Sequence, residues 1–178
     1  MDDGVADDAG IEEPRWLSAE QLRQWRSLMA MVMTLPAALD AQLKRDSGLN
    51  SFEYHVLVDL AGTPAGSRVM SRLATETRGS LSRLSHAVSR LEAAGWVERR
   101  ACGGAGRRTE AFLTEAGREK LRQSAPGHVR EARRLVIDTL DAEQLAALGA
   151  AARDVVGVAD PEIAATLAGP PLGGPAER

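Results

Sequence analysis

The chain has a single cysteine, Cys102, in 178 residues. That excludes an intramolecular disulfide framework and a multi-cysteine zinc site. Aromatic residues make up only 3%. Trp16, Trp25, Phe52, Tyr54, Trp96 and Phe112 are too few for a platform that stacks single-stranded bases. No apolar run approaches the ~18 residues that span a membrane, and the start lacks the basic-then-apolar order of a signal peptide. A soluble, cytoplasmic chain is expected. His55, His86 and His128 lack the close Cys/His/Asp/Glu spacing of a metal site. There is no nucleophile–base–orienter set and no phosphate loop, so neither an enzyme nor a cofactor is expected.

Hydrophobic residues reach 44%, enough for a real core in one domain with appendages. Net charge is only −3, but its distribution is uneven. Residues 2–13 hold six acids and no base. Residues 67–108 hold nine arginines against Glu76, Glu92 and Glu98. A basic centre in an acidic protein is the local footprint of a polyanion partner.

The pattern between the ends is mainly helical. Ser18, followed by Glu20 and Gln21, reads as a helix start. Apolar residues then recur at three- and four-residue steps to about Arg45, with a kink expected at Pro36. The segment Leu28–Leu35 is apolar on every side, which suits a helix packed on a second subunit as well as its own. Ser51 is expected to cap the next helix, Ala61–Ser67 to form a loop, and Ser71 to cap a short helix. Arg78-Gly79 turns the chain. Ser80 opens a further helix, which Gly95 stops. Two short extended arms, WVERRAC and RRTEAFL, flank a GGAG tip and read as a β-hairpin. Thr114 opens a long helix, bent near Pro126. Asp141 and Gln144 form a capping box for a last helix over 145–156. Glu53 and Asp59 read as helix-surface acids.

Helix, turn, helix and basic hairpin, in that order, describe a winged helix-turn-helix: a three-helix DNA-binding core plus a β-hairpin wing. A major groove ~12 Å wide admits one helix. The helix opened by Ser80 carries Leu81, Leu84, Val88 and Leu91 on one face and Ser82, Arg83, Ser85, His86, Ser89 and Arg90 on the other. Short serines let the backbone approach the groove floor. Arg83 can fork onto guanine O6 and N7, while Arg90 is assigned to phosphate. Arg107 and Arg108, beside the hairpin tip, are placed to reach phosphates or the adjacent minor groove.

Four segments sharpen this reading: GLNSFEYHVLVDLA (48–61), MSRLA (70–74), SLSRLSHAVSRLEAAGWVERR (80–100) and AFLTEAGREKL (111–121). In these the chain resembles the multiple-antibiotic-resistance regulator (MarR) family of bacterial transcription factors. The resemblance covers about residues 18–157. It implies an obligate homodimer, with the first and last helices forming a dimerisation base, on a pseudo-palindromic operator. The organisation expected is an acidic tail (1–17), a dimerisation helix (18–47), the winged domain (48–113), C-terminal dimerisation helices (114–157) and a flexible tail (158–178), the last Pro/Gly-rich from about Ala168. The family's wing commonly has an aspartate shortly before its arginine; here that position is Ala105. Its peroxide sensors use a cysteine in the first helix, which has none here, so Cys102 is expected to be inert. Many members bind aromatic acids in a cleft beside the dimer base. Trp25, Arg26, Met29, Met33 and His55 are the ligand candidates on that basis, although the Trp25–Met33 stripe also reads as core and His55 as an internally hydrogen-bonded histidine. The function expected is a DNA-binding regulator, a repressor, with a small aromatic or phenolic ligand as candidate releasing agent. The alternative is a helical interaction module whose winged domain has lost DNA binding.

Overall fold

In a computed structural model, residues 13–101 and 108–167 are described. Cys102, Ala105 and Arg107 lie outside them. The chain divides into two compact units, residues 1–34 and 35–178.

Helix α1 spans Ala19–Ser47. Ser18 caps it reciprocally with Gln21: the Gln21 N–H donates to Ser18 Oγ at 3.1 Å and the Ser18 N–H to Gln21 Oε1 at 2.9 Å. The helix is continuous through Pro36. In the first unit its apolar side chains are open: Trp25 and Val32 are each 51% exposed and Met33 71%.

The second unit holds the core. Helix α2 (Ser51–Ala61) is capped by Asn50 rather than by the expected Ser51. Asn50 Oδ1 accepts from the Glu53 N–H, and Glu53 Oε2 accepts from the Asn50 N–H, both at 2.9 Å. The Ser51 N–H donates instead to Asp40 Oδ1 on α1, at 2.8 Å. Strand β1 (Ser67–Val69) begins at the end of the expected loop. Helix α3 spans Met70–Glu76, with Val69 at its N-cap and no side-chain cap from the expected Ser71. Helix α4 (Leu81–Ala93) is capped by Ser80 Oγ on the Arg83 N–H.

The hairpin forms from β2 (Val97–Ala101) and β3 (Thr109–Leu113). The sheet order is β1-β3-β2, all antiparallel. Val97 faces Leu113 and Arg99 faces Ala111, while β1 sets Ser67 against Phe112. Leu43, Leu49, Val56, Leu57, Leu60, Leu73, Leu84 and Val88 are wholly buried, with Leu91, Val97 and Ala111 beside them. The stripe predicted for α4 is therefore real at Leu84, Val88 and Leu91, but Leu81 is 56% exposed.

Thr114 caps α5 (Glu115–Ala132), which runs through Pro126 into a π-turn at Arg133–Ile137. The Asp141–Gln144 capping box opens α6 (Ala142–Ala159), longer than the helix read from sequence. The segment expected as a flexible tail, 158–178, is helical in its first part, and residues 168–178 lie outside the described residues. Helix α6 runs to Ala159 and α7 covers Pro161–Leu167, where the Ile163 N–H donates to Asp160 Oδ1 at 3.1 Å. No residue of α6 or α7 is buried.

Candidate nucleic-acid interface

The interface starts at the turn before α4. Arg78 there adopts φ +54°, the left-handed region that L side chains rarely occupy. Sequence would assign that conformation to the neighbouring glycine. Gly79 is needed for a different reason: a Cβ there would lie 2.5 Å from the Phe52 ring. Close approach of turn to ring lets Phe52 reach under α4, where the Arg83 guanidinium stacks 4.3 Å from the ring centroid. A cation over an aromatic face is attracted by its quadrupole, so the ring favours one placement of the arginine.

The polar face of α4 is present as expected. Ser80, Ser82, Arg83, His86, Ser89 and Arg90 are exposed, and Ser85 is half-buried. Several of these groups already have partners. Ser80 is occupied as the cap. Ser89 Oγ donates to the Ser85 carbonyl at 2.9 Å and accepts from Arg99 Nη2 at 2.7 Å. The same Nη2 donates to the Ser85 carbonyl at 2.7 Å. The backbone N–H of Arg99 donates to Glu92 Oε1 at 3.2 Å. Strand β2 is thus tied to α4 through one arginine that sequence reading counted only as positive charge.

Arg90 Nε lies 2.5 Å from Glu53 Oε1. Glu53 is 6% exposed, so the expectation of a helix-surface acid is corrected. Its burial follows from its third position in α2, facing α4. Arg108 is exposed beside β3. Arg100 lies over Phe112 at 4.3 Å and pairs with Glu98 at 2.9 Å. Arg99, Phe52 and Glu53 were missed as site residues. The contacts of Phe52 with Arg83, of Glu53 with Arg90 and of the Arg99 guanidinium with Ser89 span 10 to 37 positions, beyond any local pattern.

The ligand candidates fall in both units. In the first, Trp25, Arg26 and Met33 are exposed and Met29 is half-buried on α1. In the second, His55 lies with its ring edge-on to Tyr54, at 6.0 Å between centroids, and Tyr54 in turn meets His128 at 4.6 Å. Much of His55 is exposed, yet the surrounding protein withholds water from its imidazole and holds it below the ordinary range. Burial does the same to His128, helped by the charge of His55.

Asp59, also expected on the surface, is half-buried. Burial, then the nearby Glu76 charge, pushes its carboxyl up to about 6, against the opposing pull of Arg68 and Arg78. Glu76 itself holds Arg68 at 2.8 Å and Arg72 at 2.9 Å. The folded chain therefore binds the Asp59 proton more tightly than the unfolded chain, whose carboxyl titrates near 3.8. Stability from this group falls as pH rises from about 4 through 6. Asp59→Asn, neutral throughout, is expected to melt above the wild type at pH 7.5 and to match it at pH 4. An equal gain at both pH values in thermal melts excludes the titration as the cause.

Among the described residues no helix is long and apolar enough to cross a membrane. No cluster of three or more His, Cys, Asp or Glu able to hold a metal occurs among them.

No protein-family model matches the chain, and no curated protein is detectably similar to it. Solved structures are. A MarR family transcriptional regulator from Streptomyces coelicolor, crystallised in complex with DNA, is 44% identical over 84% of this chain and 94% of its own, with a TM-score of 0.80. AbsC, a MarR family transcriptional regulator from the same organism, is 37% identical over 80% of this chain and 96% of its own, with a TM-score of 0.75. The PcaV transcriptional regulator of that organism, in complex with its natural ligand, is 20% identical over 81% of this chain and all of its own, with a TM-score of 0.66. At that identity it speaks for the fold alone.

Proposed function

This chain belongs to the MarR family of transcriptional regulators, and from that premise we propose that it is a homodimeric repressor on a pseudo-palindromic operator, acting in the cytoplasm and not as an enzyme. The observation that carries the DNA reading is the α4 face. Arg83 is held out over Phe52, between small serines, on a helix tied to the hairpin by Arg99. In this reading Ser82, Arg83, Ser85 and His86 face base edges, while Arg107 and Arg108 carry the wing onto phosphate or the minor groove. The DNA complex of the 44%-identical regulator supports it. Nothing in the structure favours a winged domain that has lost DNA binding.

Uncovered apolar surface supports the dimer. Val155 and Val158 on α6 are 60% and 90% exposed. Val129, Ile137 and, on α1, Leu22, Trp25 and Val32 are open as well. Such surface on several helices is what an obligate interface covers. A ligand released form is the last part of the reading. An aromatic acid held near Trp25, Arg26, Met29, Met33 or His55 would act only by preferring the arrangement that does not fit the operator.

Light scattering at micromolar concentration is expected to give twice the chain mass of 19.0 kDa. A gel shift on the intergenic DNA beside its own gene should show one complex containing two chains. A folded monomer, or no shift on any duplex at low salt, sinks the reading.

A further inference from the structure

The two arginines assigned to DNA on α4 are seven residues apart, so they lie on one side of the helix two turns from each other. Both are held by consecutive residues of one turn. Phe52 supports Arg83, and Glu53 binds Arg90. That turn is itself fixed to α1, because Asp40 accepts the Ser51 N–H while pairing with Lys44 at 2.6 Å. The Asn50–Glu53 capping box locks the same carboxylate from its other oxygen.

Packing does not confine Arg90. Its side chain is 61% exposed and lines two open clefts, of about 330 and 590 Å³. Charge confines it instead. Glu53 is buried, and a buried carboxylate deprived of its cation is heavily penalised. A phosphate that drew Arg90 away would leave that carboxylate behind. The pair as it stands is neutral and adds little to counterion release.

Resting on the reading of α4 as the DNA-reading helix, we propose that the first turn of α2 is a specificity clamp: Glu53 withholds Arg90 from phosphate, and Phe52 holds Arg83 ready for base edges. Glu53 and Phe52 are positioning residues, and Arg90 departs from the phosphate role read from sequence. The clamp trades general affinity for discrimination. A free cation at Arg90 would strengthen binding to every sequence alike.

The test uses the full chain and two duplexes: one selected by the wild type from a random pool, and one of equal length that was not selected. Glu53→Gln keeps an oxygen for the Asn50 N–H and removes the charge. Its slope of log affinity against log salt is expected to steepen by about 0.9 per subunit, the value of one phosphate contact. Affinity for the unselected duplex should rise, and the ratio between the duplexes should fall. Arg90→Ala in the wild-type background should leave the slope unchanged. In the Glu53→Gln background it should return the slope to the wild-type value. Phe52→Leu, which keeps apolar bulk without a ring face, should weaken only the selected duplex. If Glu53→Gln weakens both duplexes equally with an unchanged slope, or Arg90→Ala alone flattens the slope, the clamp is overturned and the DNA-binding function stands. A wild type that enriches no duplex from the pool overturns both. Far-UV circular dichroism of each variant separates loss of fold from loss of clamp; should a single variant unfold because Glu53 or Arg90 has lost its partner, the double variant, which leaves no buried charge unpaired, decides the matter, and a slope flatter than the wild type's overturns the clamp.

Discussion

Arg83→Ala is expected to produce the largest loss of operator affinity of any single substitution on α4. A bidentate arginine–guanine pair contributes about 1–3 kcal/mol of discrimination. In the proposed homodimer the residue is presented twice, so the expected loss is about 2–6 kcal/mol, or roughly 30- to 20,000-fold, at tenfold per 1.4 kcal/mol. The loss should be concentrated at one position of each half-site, because the guanidinium is held over Phe52 before DNA arrives. An arginine already ordered gives up less side-chain freedom on binding. Competition binding with duplexes varied base by base reads the effect. Equal weakening at every position would move Arg83 from base recognition to backbone contact.

Gly117→Ala is expected to be the most disruptive small substitution for the fold. Gly117 lies in the first turn of α5, and its N–H donates to the capping hydroxyl of Thr114 at 3.0 Å. A methyl group there would lie 2.1 Å from the Trp96 carbonyl oxygen and 2.7 Å from a Leu113 methyl. The first of these is backbone and cannot rotate away. The carbonyl is also fixed, since it accepts the Thr114 N–H at 3.1 Å. Thr114 further binds the Gly95 carbonyl at 2.7 Å, so α5 is pinned to the junction of α4 and β2. Overpacking at a tight site costs about 1–3 kcal/mol, and more where backbone must shift. The upper end is expected here, seen as a drop in urea midpoint with the slope preserved. A change below about 0.5 kcal/mol, the scale of an ordinary surface substitution, would show that the junction yields.

The same junction shows what was legible in the sequence. Caps that act within three residues are local signals, and Ser18, Ser80, Thr114 and Asp141 were all read correctly from them. The period of α4 and the Gly95 stop were equally local. Asn50 displaced Ser51 because Asp40, eleven residues away, claims the Ser51 N–H. Strand β1 has three residues and no alternation to detect; it exists because β3 offers it a partner. The Arg78-Gly79 turn was legible, but not its division of labour: Arg78 takes the left-handed φ, while the demand on Gly79 comes from the Phe52 ring. Half of the candidate site was therefore visible as residue types on one helix face. The supports behind it were not, since Glu53, Phe52 and Arg99 meet α4 only through the tertiary fold.

The small sheet has a further consequence for handling the protein. Its central strand, β3, is paired on both sides, which leaves β1 and β2 as edges among the described residues. An open edge invites strands from other molecules. Here β1 is only three residues long, and β2 carries Glu98, Arg99 and Arg100 in succession, with Glu92 bonded to the Arg99 N–H. Short length and dense charge are how native sheets resist strand addition. The arginines that make the hairpin basic thus also keep it from templating aggregates. Charge-stripping substitutions along β2 would remove that protection together with any hold on DNA, so a loss of solubility would have to be separated from a loss of affinity.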